Sequence, residues 1–168
     1  NVRGRQSLLR VMRFLKEFPG FEELRLERLQ PEAGVRETYR IVGETVVTVD
    51  DYTRGRRFED AVAYSFYPID LHDEEGVRPR PLPSGTVPTI PLGPLIPRAS
   101  RDVMAAGRAV SSDRLANSAL RVQASCMAMG QAAGAAAALA AERKLTPAKV
   151  PLADLLKTLR EHGAITPG

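Results

Sequence analysis

With 168 residues, 43% of them apolar, the chain is long enough for one full domain or pieces of two and can bury a core. Its net charge of +4 rests on arginine, since only four of the 24 basic residues are lysine, and the arginines are scattered. Only Arg54, Arg56 and Arg57 bunch, which argues against a nucleic-acid surface. A single cysteine, Cys126, excludes an intrachain disulfide framework and suits a reducing, cytoplasmic compartment, while His72 and His162 stand too far apart to suggest a metal cluster.

The chain opens Asn-Val without Met, so residue 1 is expected not to be the native start, and any targeting signal ahead of it lies outside this sequence. From Gln6 to Phe18 the apolar residues Leu8, Val11, Met12, Leu15 and Phe18 fall on one helical face, with Arg10, Arg13, Lys16 and Glu17 outside it. Pro19-Gly20 ends that helix. Glu23 to Leu29 partly alternates and predicts a strand, and Val35 to Val42 predicts a second extended run. Thr45 to Val49 is β-branched and strand-like, Asp50-Asp51 predicts a short helical turn leading to Gly55, and Ala61 to Tyr67 predicts a further strand.

Seven prolines between residues 76 and 98 exclude a helix there. Ile90, Leu92, Leu95 and Ile96 within that stretch predict a crossing that packs, not a free linker. Val103 to Ala106 reads as a short buried strand, followed by Gly107-Arg108 and a polar loop. A long small-residue helix then runs from Ala124 to Arg143. Pro151 to His162 predicts an amphipathic helix with Leu152, Leu155, Leu156 and Leu159 inward and Gly163 as its C-terminal cap. The 18 residues from Ala124 carry no charge, and Gly130 and Gly134 are spaced like a membrane packing pair. They are mostly Ala, Gly, Ser and Gln, which insert poorly, so the expectation is a helix packed on a sheet and no membrane.

A strand, a glycine and a helix N-terminus in succession suit an extended anionic ligand. Here Gly107 allows close backbone approach and Arg108 supplies charge. The helix start at Ser125, Cys126 and Met127 offers N–H groups to negative charge, and Gly130 and Gly134 suggest close approach of another backbone or of the ligand itself. Read alone, each has a plainer role: a turn, a cap, a small buried thiol without a histidine partner.

The segments Gly34 to Glu44, Gly55-Arg56-Arg57-Phe58 and Tyr67-Pro68-Ile69-Asp70-Leu71-His72 precede Ile90-Pro91, Ala106-Gly107-Arg108 and Leu120-Arg121-Val122. Cys126-Met127-Ala128-Met129-Gly130-Gln131-Ala132-Ala133-Gly134 closes the series. In this order and spacing they resemble the C-terminal half of FAD-dependent oxidoreductases of the glutathione-reductase-like fold, over about residues 32 to 162. The resemblance implies an α/β protein, α+β in this portion. Residues 1–98 would form part of a β-rich substrate or cap domain with a leading helix. Residues 99–168 would form the closing strand and helix of a Rossmann-type FAD domain. The G-x-G-x-x-G pyrophosphate turn of such domains occurs nowhere in the chain, so a companion segment or chain and an oligomer are expected.

FAD is the implied cofactor and a small molecule the implied substrate. Gly107, Arg108, Ser125, Cys126, Met127 and Gly130 would lie at the flavin, and Arg36, His72 and Arg121 at its working face. The family's His-Glu pair after Gly-Arg is replaced by Arg114 and Leu115, and its Tyr-Arg after Ile-Pro by Leu92-Gly93, so the substrate side is altered. Two other readings remain at this point: a non-catalytic truncated paralogue or subunit completing another chain's site, and an α+β binding domain without flavin.

Overall fold

A computed structural model of the chain describes every residue except Asn1, Ala33, Thr38, Glu74 and Glu75. Residues 1–36 and 37–168 form two units.

In the first unit, helix α1 spans Val2–Leu15, and none of its residues is buried. It starts before Gln6 and stops before Phe18, where turns lead to Gly20 at φ +91°. Phe14 and Phe18 meet edge to face at 5.0 Å, an arrangement aromatic pairs favour. The strand expected over Glu23–Leu29 does not form. No described strand lies beside it, and an unpaired extended segment leaves its N–H and C=O groups to water.

The second unit begins with irregular backbone. The extended run expected from Val35 includes Thr38, which lies outside the described residues, and its described remainder forms no strand. Val47, in the strand-like stretch, makes only an isolated parallel bridge to Ser112. Helix α2, Val49–Thr53, forms where a short turn was expected, but its cap is Thr48 and not an aspartate. The Thr48 side chain accepts from the Asp51 N–H while the Asp51 carboxylate accepts from the Thr48 N–H, a reciprocal box.

Strand β1, Ala61–Tyr64, pairs antiparallel with β4, Thr89–Pro91, through Ala63↔Ile90 and Tyr64↔Thr89. Between them in sequence, β2 (His72–Asp73) pairs antiparallel with β3 (Gly76–Val77). The proline-rich stretch therefore packs as expected: Ile90, Leu92, Leu95 and Ile96 are all buried.

Helix α3, Arg114–Leu120, occupies what reads in sequence as a polar loop. Asp113 caps it by accepting from the Ala116 N–H at 2.8 Å and also accepts from the Val49 N–H, so one carboxylate holds the starts of α2 and α3. Helix α4, Gln123–Arg143, buries Ser125, Met129, Ala132, Ala133, Ala136 and Ala140 along one face, against β1 and α5. It ends at Lys144 in the left-handed conformation. Helix α5, Leu152–Glu161, buries Leu155 and Leu159, and Gly163 at φ +77° closes it as expected.

The described residues thus form a small mixed α/β arrangement with five α-helices and two-stranded antiparallel sheets. The expected strand at Val103–Ala106 is not formed: Val103 is exposed, and the bond from Ala105 N–H to the Leu95 carbonyl at 2.8 Å is the ladder-like contact there. A single apolar strand needs neighbours on both sides to become part of a parallel sheet. Within the second unit, β1 packs on α4.

Candidate functional site

Gly107 opens a short 3-10 turn, Gly107–Ala109, at φ +75°, a conformation that costs an L side chain roughly 1–2 kcal/mol. A Cβ placed there would sit 3.6 Å from Cys126 Sγ, so the turn packs directly against the first turn of α4. Glycine at this point answers to backbone conformation, not to lack of room. The Arg108 carbonyl accepts from Asn117 Nδ2 at 3.2 Å, which ties the turn to α3. The Arg108 side chain is exposed.

Helix α4 starts after Val122, and no side chain caps it. Its leading N–H groups therefore present partial positive charge. Ser125, expected at the ligand, is buried and bonded to Ser65 at 3.0 Å; Ser65 in turn bonds the Tyr52 hydroxyl at 2.8 Å. Tyr52 gives its proton to the Tyr67 carbonyl, so Ser65 must donate to Tyr52 and Ser125 to Ser65. The chain satisfies each buried hydroxyl and pins α4 to β1 and α2. Burial pushes the Tyr52 phenol up, against the hydrogen bond from Ser65.

Cys126 is half-buried, with its thiol toward the Leu120 carbonyl at 3.8 Å. Burial pushes this thiol up, and Arg108 pulls in the opposite direction; the net effect favours the unreactive thiol form. Met127 lines an apolar cleft of about 750 Å³ together with Phe66, Val87, Ile165, Gln131 and Arg57. Gly107 and Arg108 are not among its walls. Gly130 is exposed, and a Cβ built on it or on Gly134 meets nothing within 4 Å. Among the described residues neither glycine is closely approached by another backbone.

His72 and Arg121, far apart in sequence, are brought to one residue. His72 Nε2 lies 3.4 Å from an Asp70 carboxylate oxygen, and Arg121 donates to the Asp70 carbonyl at 3.0 Å. The Asp70 N–H donates to Ser118 Oγ at 3.0 Å. The Asp70 link escaped the sequence reading, although its signal, a carboxylate two residues before a histidine, was present. Arg121 Nε is buried without a partner among the described residues. Arg36 is exposed at the end of the first unit. Among the described residues no group of His, Cys, Asp and Glu could hold a metal.

The family model for FAD-dependent oxidoreductases matches residues 1–159. The chain belongs to the FAD-dependent oxidoreductase family. No curated protein and no solved structure matches it.

Three features of the structure fit a flavin: an uncapped helix start, a left-handed glycine turn packed against it, and a buried guanidinium N–H without an acceptor.

Proposed function

We propose that this chain supplies the flavin-ring side of the site in an FAD-dependent oxidoreductase. The observation that carries the reading is the packing of the Gly107 turn on the uncapped start of α4, beside Cys126. When bound, the flavin supplies hydride or electron-pair chemistry. The first turn of α4 offers N–H groups and dipole to negative charge on the ring. Gly107 brings backbone close to the cofactor chain, and Arg108 adds a charged contact. Arg121 holds Asp70 and presents Nε–H, while Asp70 orients His72, which holds or moves a proton for a small-molecule substrate. Family membership supports the cofactor. The absence of G-x-G-x-x-G from these residues makes a companion segment or chain part of the proposal, in a cytoplasmic oligomer.

Removing a charge-assisted contact costs about 1.5–3 kcal/mol, so Arg108→Ala in the intact flavoprotein should weaken FAD binding ten- to hundredfold, measured by titrating the apoprotein. Wild-type affinity in that titration would remove Arg108 from the site. Ala124→Asp, exposed in the first turn of α4, should lower the flavin reduction potential; an unchanged potential would separate this helix from the ring.

A further inference from the structure

Helix α1 has a composition that the flavin reading leaves unused. Between Val2 and Lys16 stand Arg3, Arg5, Arg10, Arg13 and Lys16, and no acidic residue occurs before Glu17. At 100° per residue, Leu8, Val11, Met12, Phe14 and Leu15 fall within a stripe roughly 160° wide, and all five cations fall on the complementary arc. Within the first unit no described α1 residue is buried: Val11 and Phe14 are 49% and 57% exposed, and Leu8, Met12 and Leu15 are half-buried. Phe18, packed edge to face on Phe14, is 46% exposed and extends the apolar end beyond the helix.

We propose that α1 is an interfacial helix that lays its apolar stripe into an anionic lipid surface, with the arginines reaching the headgroups. Charge selects this occupant. A second copy would bring two arginine-rich helices together without a single acid on either, and like charges repel. An anionic bilayer meets the cations with phosphate while accepting Leu, Met and Phe at the acyl boundary. A basic arc opposite an apolar stripe is the pattern that such helices share, and here Leu9 and Val2 interrupt the arc. This is contact with one leaflet, a different geometry from the bilayer crossing that the composition of α4 argues against, and it adds a membrane partner that the sequence reading did not expect. It is independent of the flavin reading, because it places no residue at the cofactor.

The test is sedimentation of the purified chain with vesicles of phosphatidylcholine alone and of phosphatidylcholine containing phosphatidylglycerol. Binding should appear only with the anionic lipid and should weaken severalfold as salt is raised. The double variant Arg10→Glu/Arg13→Glu should bind at least tenfold less, and Phe14→Ser should also bind less. Both should keep the wild-type melting temperature, because the substituted side chains are not buried. No binding to anionic vesicles would overturn the proposal, as would equal binding to neutral vesicles or binding unchanged in both variants. Capture by polyglutamate without capture by vesicles would overturn it in favour of an acidic protein partner.

Discussion

Helices α4 and α5 pack against each other yet treat water differently. Helix α5 buries Leu155 and Leu159 and turns Lys157, Arg160 and Glu161 outward; its sequence describes a core face and a surface face. Helix α4 has no such division. Its inner face holds Met129, Ala132, Ala136 and Ala140, and its outer face exposes Met127, Gly130, Gly134, Ala137 and Ala141. Only 28% of its most apolar stretch is buried. A helix built of small residues all round is built for contact on more than one side. The comparison teaches that α5 is completed by this chain, whereas α4 offers a bare face, which supports the proposed companion segment.

The comparison breaks most sharply in stability. Leu155→Ala, which empties a fully buried site on α5, should cost about 2–5 kcal/mol in urea unfolding of the chain. Ala137→Asp, on the bare face of α4, should cost less than about 1 kcal/mol in the same assay, from helix propensity alone. If both substitutions destabilise equally, the outer face of α4 is covered in solution and the contrast fails. The same Ala137→Asp should then be disruptive only where the companion segment is present.

A second expectation concerns how α4 is delivered to its place. Asp113 holds the starts of both α2 and α3, and α3 leads directly into α4. Asp113→Ala should cost about 2 kcal/mol, the upper end for a helix cap, and Asp113→Asn should recover part of it. A loss of a few tenths, measured by thermal unfolding, would show that the two helices do not depend on this carboxylate.

The smallest effect is a pH dependence. Tyr52 has its phenol pushed above the ordinary value of 10.0, chiefly by burial. For a group raised on folding, the contribution to stability is complete below the unfolded value and is lost as pH rises through the folded one. Wild-type stability should therefore fall in alkali above about pH 10, and Tyr52→Phe should flatten that fall while costing about 1 kcal/mol at neutral pH. An alkaline limb of equal slope in Tyr52→Phe would assign the fall to another group.

Periodicity gives α1, α5 and β1, because each has several residues repeating at one spacing, whereas α4 is legible as a long uncharged run of small residues. It misleads at Glu23–Leu29 and Val103–Ala106, where an apolar run is strand-like but no neighbour supplies the ladder. Helix α3 was hidden because Asn117 and Ser118 look like loop residues; both are fully buried and bonded. Asp113 before Arg114 was a readable cap signal. In the site, the Gly107 turn and the start of α4 were legible as a strand-glycine-helix succession, although the strand itself is not there. The diversion of Ser125 into a buried hydroxyl chain was not, since its partner Ser65 lies 60 residues away. Nor was the convergence of His72 and Arg121 on Asp70, which depends on a contact 51 residues long.

That hydroxyl chain also orders the assembly of the molecule in time. Tyr52 and Ser65 are 13 residues apart, but Ser125 must travel back across 60 to join them. Closure of the long loop is the entropically dearer event, so α2 and β1 can dock before α4 arrives. Losing the final link should then act on departure more than on arrival. Ser125→Ala is expected to quicken unfolding while leaving the refolding rate nearly unchanged, and α4 becomes the element whose release begins the loss of structure.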